Sequence, residues 1–117
     1  MRQDRCKRLL RAVVRAESEW GAVREFGTRV WLHLGGCGGA RETHLDVEGI
    51  EKEVAQLFVG RNPVKCEEGA VVVESRSVKG WRLTVALGED LGCRGSGVRR
   101  VYFSRGKLVV RLPCRQC

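Results

Sequence analysis

The stretch from Leu10 to Trp20, L-R-A-V-V-R-A-E-S-E-W, constrains the fold more than any other part of the chain. Cys6, Leu9, Leu10, Val13, Val14 and Trp20 recur at the i, i+3, i+4, i+7 spacing of one helix face. This predicts an amphipathic helix from about Gln3 to Trp20, with Arg5, Arg8, Arg11 and Arg15 on the opposite side. Ala12 and Ala16 then lie one turn apart, and small residues at that spacing let a second helix backbone approach closely. Leu9, Ala12, Val13 and Ala16 are accordingly the expected dimer interface. Glu17 closes this ridge, where a paired helix would hold its carboxylate at the base of the interface as a metal ligand.

Beyond Gly21 and Gly27 the apolar period shortens. Thr28 to Leu34 alternates, with Thr28, Val30, Leu32 and Leu34 on a core face and Arg29, Trp31 and His33 on the other, as in a half-solvated strand. Gly35-Gly36-Cys37-Gly38-Gly39 reads as a turn, and the alternation from Ala40 to Val47 as the return strand. From about Asp46 to Val59 the period lengthens again, with Val47, Ile50, Val54, Leu57 and Phe58 on one side, which predicts a second helix ended by Gly60 and Pro63. Ala70–Ser77 with Trp81–Leu87, and Val98–Phe103 with Lys107–Leu112, are β-rich runs joined by glycine-containing turns. The expectation is one α+β domain over residues 1–117 of order α-β-β-α-β-β. An antiparallel sheet packs under two helices, and an additional β-hairpin follows over residues 97–113.

A chain of 117 residues is the size of a single domain. Its 22 Lys and Arg against 14 Asp and Glu leave a net charge of +8, which favours a polyanionic partner, with DNA ahead of RNA. No apolar run is long enough to span a bilayer, and the arginine-studded N-terminus is unlike a secretory leader, so an intracellular protein with reduced thiols is expected.

The placement of the cations supports the same partner. Arg29, Trp31 and His33 share the non-core face of the first hairpin. Arg76, Lys79 and Arg82 surround the second, and Arg99, Arg100, Arg105 and Lys107, with Arg111, surround the third. Strands carrying such residues suit contact with phosphates and base edges, and Trp31 and Tyr102 offer stacking surfaces for a single-stranded ligand. Cys114-Arg-Gln-Cys117 has the spacing that directs two thiolates to one zinc ion. Cys93 is a candidate third ligand, and Cys37, His33 or His44 a fourth. A disulfide from Cys93 to the tail is the competing arrangement. The glycine turn lacks the spacing of a phosphate-binding loop, and no Ser-His-Asp or Cys-His constellation is evident.

The nine residues Leu10–Ser18 resemble, by residue type, the motif of the LAGLIDADG homing endonucleases: apolar start, small third, apolar fourth and fifth, small seventh, acidic eighth and small ninth residue. Arg11 brings bulk to a position that is often small, and Arg15 replaces the first acid. The element order extends the resemblance over about residues 3–87. The resemblance implies a homodimer whose motif helices cross at the centre, whose sheets saddle the DNA major groove, and whose Glu17 coordinates Mg²⁺ beside the scissile phosphates. Three readings follow. The first is a nucleic-acid-binding protein that grips double-stranded DNA with basic sheet faces and dimerises through its first helix. The others are a Mg²⁺-dependent DNA endonuclease centred on Glu17, and a structural or protein-interaction subunit with structural cysteines.

Overall fold

The computed structural model describes residues 6–114, and these form a closed antiparallel barrel rather than a helix-covered sheet. Its strands are β1 (Lys7–Ser18), β2 (Val23–His33), β3 (His44–Val47), β4 (Gly60–Glu67), β5 (Ala70–Glu74), β6 (Trp81–Ala86), β7 (Gly95–Ser104) and β8 (Lys107–Arg111), and a single short helix, α1 (Lys52–Gln56), lies between β3 and β4. Around the barrel they run β1-β2-β3-β8-β7-β4-β5-β6, and β6 returns to β1. The expected α+β class and its two covering helices are therefore not what the chain adopts.

The largest correction is at the N-terminus, where the predicted helix is a strand. Leu10, Ala12, Val14 and Ala16 are buried while Leu9, Arg11, Val13 and Arg15 point outward. The same leucine and valine doublets fit both periods, and tertiary pairing decides between them. β1 is hydrogen-bonded to β2 from Lys7↔His33 to Glu17↔Val23 and to β6 from Val13↔Ala86 to Ser18↔Trp81. A helix there would strip β2 and β6 of the ladder on one edge, which costs more than the weak helical preference of Leu and Ala returns. With the helix gone, the LAGLIDADG-like order and its motif fail. Dimerisation through a first helix fails with them: Ala12 and Ala16 sit in this barrel's own core, while Leu9 and Val13 lie on its outer surface.

The predicted second helix is similarly reduced. Its first residues belong to β3, and only Lys52–Gln56 is helical. Ile50, Val54, Ala55 and Phe58 plug the end of the barrel that also carries the β1–β2, β5–β6 and β7–β8 turns. β4 was not foreseen, because Gly60 and Pro63 read as a helix stop. In the structure Pro63 pairs with Val98 of β7 and lies just beyond the last β4–β5 pair, Val64↔Val73, an end of pairing where a proline is tolerated.

Inside, Val14, Val30, Leu32, Leu45, Val64, Val73, Leu83, Leu108 and Val110 fill the barrel with medium-sized apolar side chains, as expected for a barrel of this strand number. Two buried polar residues tie the plugged end together. Asn62 Nδ2 donates to the Phe58 carbonyl (2.7 Å), and its Oδ1 accepts from Arg76 N–H (2.9 Å). Ser75 Oγ donates to the Leu57 carbonyl and accepts from Val78 N–H. At the opposite end, disulfides Cys6–Cys37 and Cys93–Cys114 fasten the N-terminus to the β2–β3 loop and the β6–β7 loop to the C-terminal segment. These four cysteines are thus not the reduced thiols expected by default, and Cys93–Cys114 matches the competing arrangement, a disulfide from Cys93 to the tail. No described helix is long and apolar enough to cross a membrane.

Candidate nucleic-acid interface

Side chains on alternate residues of β4, β7 and β8 face outward, and Arg61, Lys65, Arg100, Lys107 and Arg111 are among them. Asn62, Val64 and Cys66 enter the core, so Arg61, Pro63 and Lys65 must face solvent; on β7 the inward Val101 leaves Arg100 and Tyr102 outside; on β8 the inward Leu108 leaves Lys107 outside. Arg61 and Arg100 are direct partners across the β4–β7 ladder. The Arg100 guanidinium lies 5.8 Å from the Tyr102 ring centre. Arg76, whose backbone is held by Asn62, opens the turn above Arg61 and extends the surface.

Among the described residues, no carboxylate lies within 4.0 Å of Arg61, Arg76, Arg100, Arg105 or Lys107. Like charges directly opposite in a sheet are destabilising, so the Arg61–Arg100 pair is held against its own repulsion. The β7–β8 turn adds a second local cost. Arg105 has φ 53° and Gly106 φ 77°, the left-handed pair of a two-residue hairpin turn, a place where Asn or Gly is the ordinary choice over Arg.

The other residues expected to touch nucleic acid divide. Arg29 and Trp31 are both engaged by Glu48, through Arg29 Nη2–Oε1 (2.9 Å) and a bond from Trp31 Nε1 to Oε2 (2.8 Å). The Trp31 hydrogen bond and the Arg29 charge hold that carboxyl below its usual range, and Lys107 contributes from farther away. Arg82 is paired with Glu74 at 3.0 Å. His33 turns to Asp46 and stacks on His44. Lys79 is exposed in the β5–β6 turn, and Arg99 lines a cleft of about 700 Å³ with Thr43, Leu112 and Cys114, where it donates to its neighbour's carbonyl, Val98 O. Arg76, Arg100, Arg105 and Lys107, with the unforeseen Arg61, are therefore the candidate interface. Alternation of Arg61, Pro63 and Lys65 against Asn62, Val64 and Cys66 was the available signal, hidden by the reading of Pro63 as a breaker.

Neither expected metal centre assembles. Glu17 lies near the end of β1 with Arg15 Nε 3.2 Å from its Oε1. Glu17, Glu19 and Glu74 line a small recess, but Glu74 is engaged by Arg82 as Glu17 is by Arg15. Among the described residues Glu19 carries no ion pair, but Glu17 belongs to no cluster of three potential metal ligands. Cys93 and Cys114 are consumed in a disulfide, whose sulfurs are not thiolate ligands, and Cys117 falls outside the described residues. Cys66 is a buried free thiol beside that disulfide, with its pKa pushed up to about 11 by burial. No family model matches the chain, and no curated protein or solved structure is detectably similar to it.

Proposed function

We propose that the protein binds nucleic acid, duplex DNA in the first instance, through the outer face of β4, β7 and β8. The observation that carries this reading is the cross-strand pair Arg61–Arg100, two cations set side by side with no carboxylate to neutralise either. A phosphate backbone supplies the missing counter-charge at a spacing that lets one strand contact several of these residues. The barrel body is 25 Å across its two short axes, wider than a major groove of about 12 Å. It therefore lies along the backbone, and the Arg105–Gly106 turn is the element slim enough to enter a groove.

The test is a binding titration over a range of salt concentrations with duplex DNA, single-stranded DNA and RNA of equal length. If Arg61, Arg76, Arg100, Arg105 and Lys107 each meet one phosphate, log affinity falls against log salt with a slope of about −4.5, at roughly −0.9 per contact on duplex. Arg61→Ala with Arg100→Ala should flatten that slope by about 2. A flat response for the unaltered protein, or a slope untouched by the double substitution, rules the reading out. Tighter binding to the single strand, lost on Tyr102→Ala, transfers it to a single-stranded ligand.

A further inference from the structure

Around the corner from the basic patch, the outer face of β2 and β3 gathers three side chains of a different kind. His33 and His44 are direct partners across the β2–β3 ladder, and Asp46 follows His44 by two residues, so all three project from the same side of the sheet. One ligand atom from each lies within 4.8 Å of the others. The imidazoles stack with ring centres 4.5 Å apart and planes 8° from parallel, which turns both Nε2 atoms toward one carboxylate.

The hydrogen bonding around this cluster leaves a cation-sized problem. His44 Nδ1 lies 2.9 Å from the Glu42 carbonyl oxygen, which can only accept, so the proton is on Nδ1 and a neutral His44 presents a lone pair at Nε2. That lone pair faces Asp46 Oδ1 across 3.8 Å. Oδ1 is buried and has no hydrogen-bond partner among the described residues. Its seclusion follows from its neighbours in the ladder, Trp31 on one side and Val109 on the other. Two acceptors set opposite each other, with side chains 23% and 17% exposed, favour a cation between them. A backbone carbonyl that fixes the tautomer of a histidine is also the usual support of a metal-ligating imidazole.

We propose that His33 Nε2, His44 Nε2 and an oxygen of Asp46 form a site for a divalent transition metal ion of the zinc type, with its remaining position open to water. Two imidazoles and one carboxylate are borderline ligands suited to Zn²⁺, Co²⁺ or Ni²⁺ and poorly suited to Mg²⁺ or Ca²⁺. His33 Nε2 now donates to Asp46 Oδ2 at 3.0 Å. On metal binding that proton moves to His33 Nδ1, and the freed Nε2 lone pair becomes the third ligand. Lys7 beside His33 and Arg111 beside His44 flank the row, and Arg111 is turned toward Glu42 at 3.5 Å.

The measurement is Zn²⁺ titration by calorimetry of the oxidised, full-length chain, beside Asp46→Asn, His44→Gln and Cys66→Ser, with the imidazole Hε1 resonances followed by NMR in the unaltered protein. One equivalent of Zn²⁺ is expected to shift the His33 and His44 resonances together. Asp46→Asn and His44→Gln should each weaken binding at least ten-fold, and Cys66→Ser should leave it unchanged. Zinc affinity that survives both ligand substitutions, or that disappears with Cys66, overturns the site. So does an unaltered protein whose two histidine resonances do not respond.

Discussion

Arg61 and Arg100 stand directly opposite one another on the outside of the barrel, one on β4 and one on β7. The pair opposes folding and favours an anion, so one substitution should separate the two effects. Arg61→Glu replaces a repulsive cross-strand pair by an attractive one and is expected to raise stability by about 0.2–1 kcal/mol. The same change should weaken duplex binding at low salt by more than ten-fold. Urea denaturation and a binding titration on the same preparation check both halves.

Arg105 offers a similar separation through the backbone. Its left-handed conformation costs an L-residue about 1–2 kcal/mol, and Asn bears it more readily. Arg105→Asn should therefore raise the denaturation midpoint while reducing the salt slope of DNA binding by about 0.9. An unchanged slope would remove Arg105 from the interface.

Asn62 bridges the Phe58 carbonyl and the Arg76 amide from inside the wall. Asn62→Ala strands both groups, and a buried polar group left without a partner costs about 1–3 kcal/mol. Chemical denaturation should show a loss of that order or greater. The released turn should also lower DNA affinity by loosening Arg76.

Asp90 shapes the β6–β7 loop by accepting from Gly92 N–H at 2.9 Å and from both terminal nitrogens of Arg94 at 3.0 Å. The Arg94 hydrogen bonds, followed by the Gly92 amide, pull its carboxyl from the usual 3.8 down to about 2. Because the folded state holds the proton less tightly, this loop contact contributes fully above pH 3.8 and is lost as pH falls toward 2. A carboxyl carbon titration should place the Asp90 midpoint near 2, and Arg94→Ala should return it toward 3.8.

The Cys93–Cys114 disulfide closes a loop with a sequence separation of 21. Replacing both cysteines by serine should lower stability by about 3 kcal/mol on the loop-entropy account. The guanidinium midpoint of the oxidised protein against that of the double variant measures it.

Much of the β structure could be read from the chain, because the Ala70–Glu74, Trp81–Ala86 and Lys107–Arg111 strands carry β-branched residues between glycine turns. What misled was β1. Leucine and alanine do not distinguish a period of two from one of 3.6, and only the ladders to β2 and β6, remote in sequence, decide the matter. The patch was half legible for a related reason. Arg100, Arg105 and Lys107 lie on a hairpin visible in the sequence, but which arginines are neutralised depends on partners such as Glu48 and Glu74, whose proximity follows from register alone. The histidine cluster was concealed differently. His44 and Asp46 already shared one face of an expected strand, yet only the pairing with β2 brings His33 beside them.

Every strand from β1 to β8 has a ladder neighbour on both sides, because β6 returns to β1. Closure leaves no strand with a free edge along its whole length, and only stretches such as 23–29 of β2 and 95–100 of β7 run beyond their ladders, so growth by strand addition, the common route from β-protein to fibre, finds no full-length edge to start from. Where the wall is fully laddered, recognition falls to the tips of its side chains.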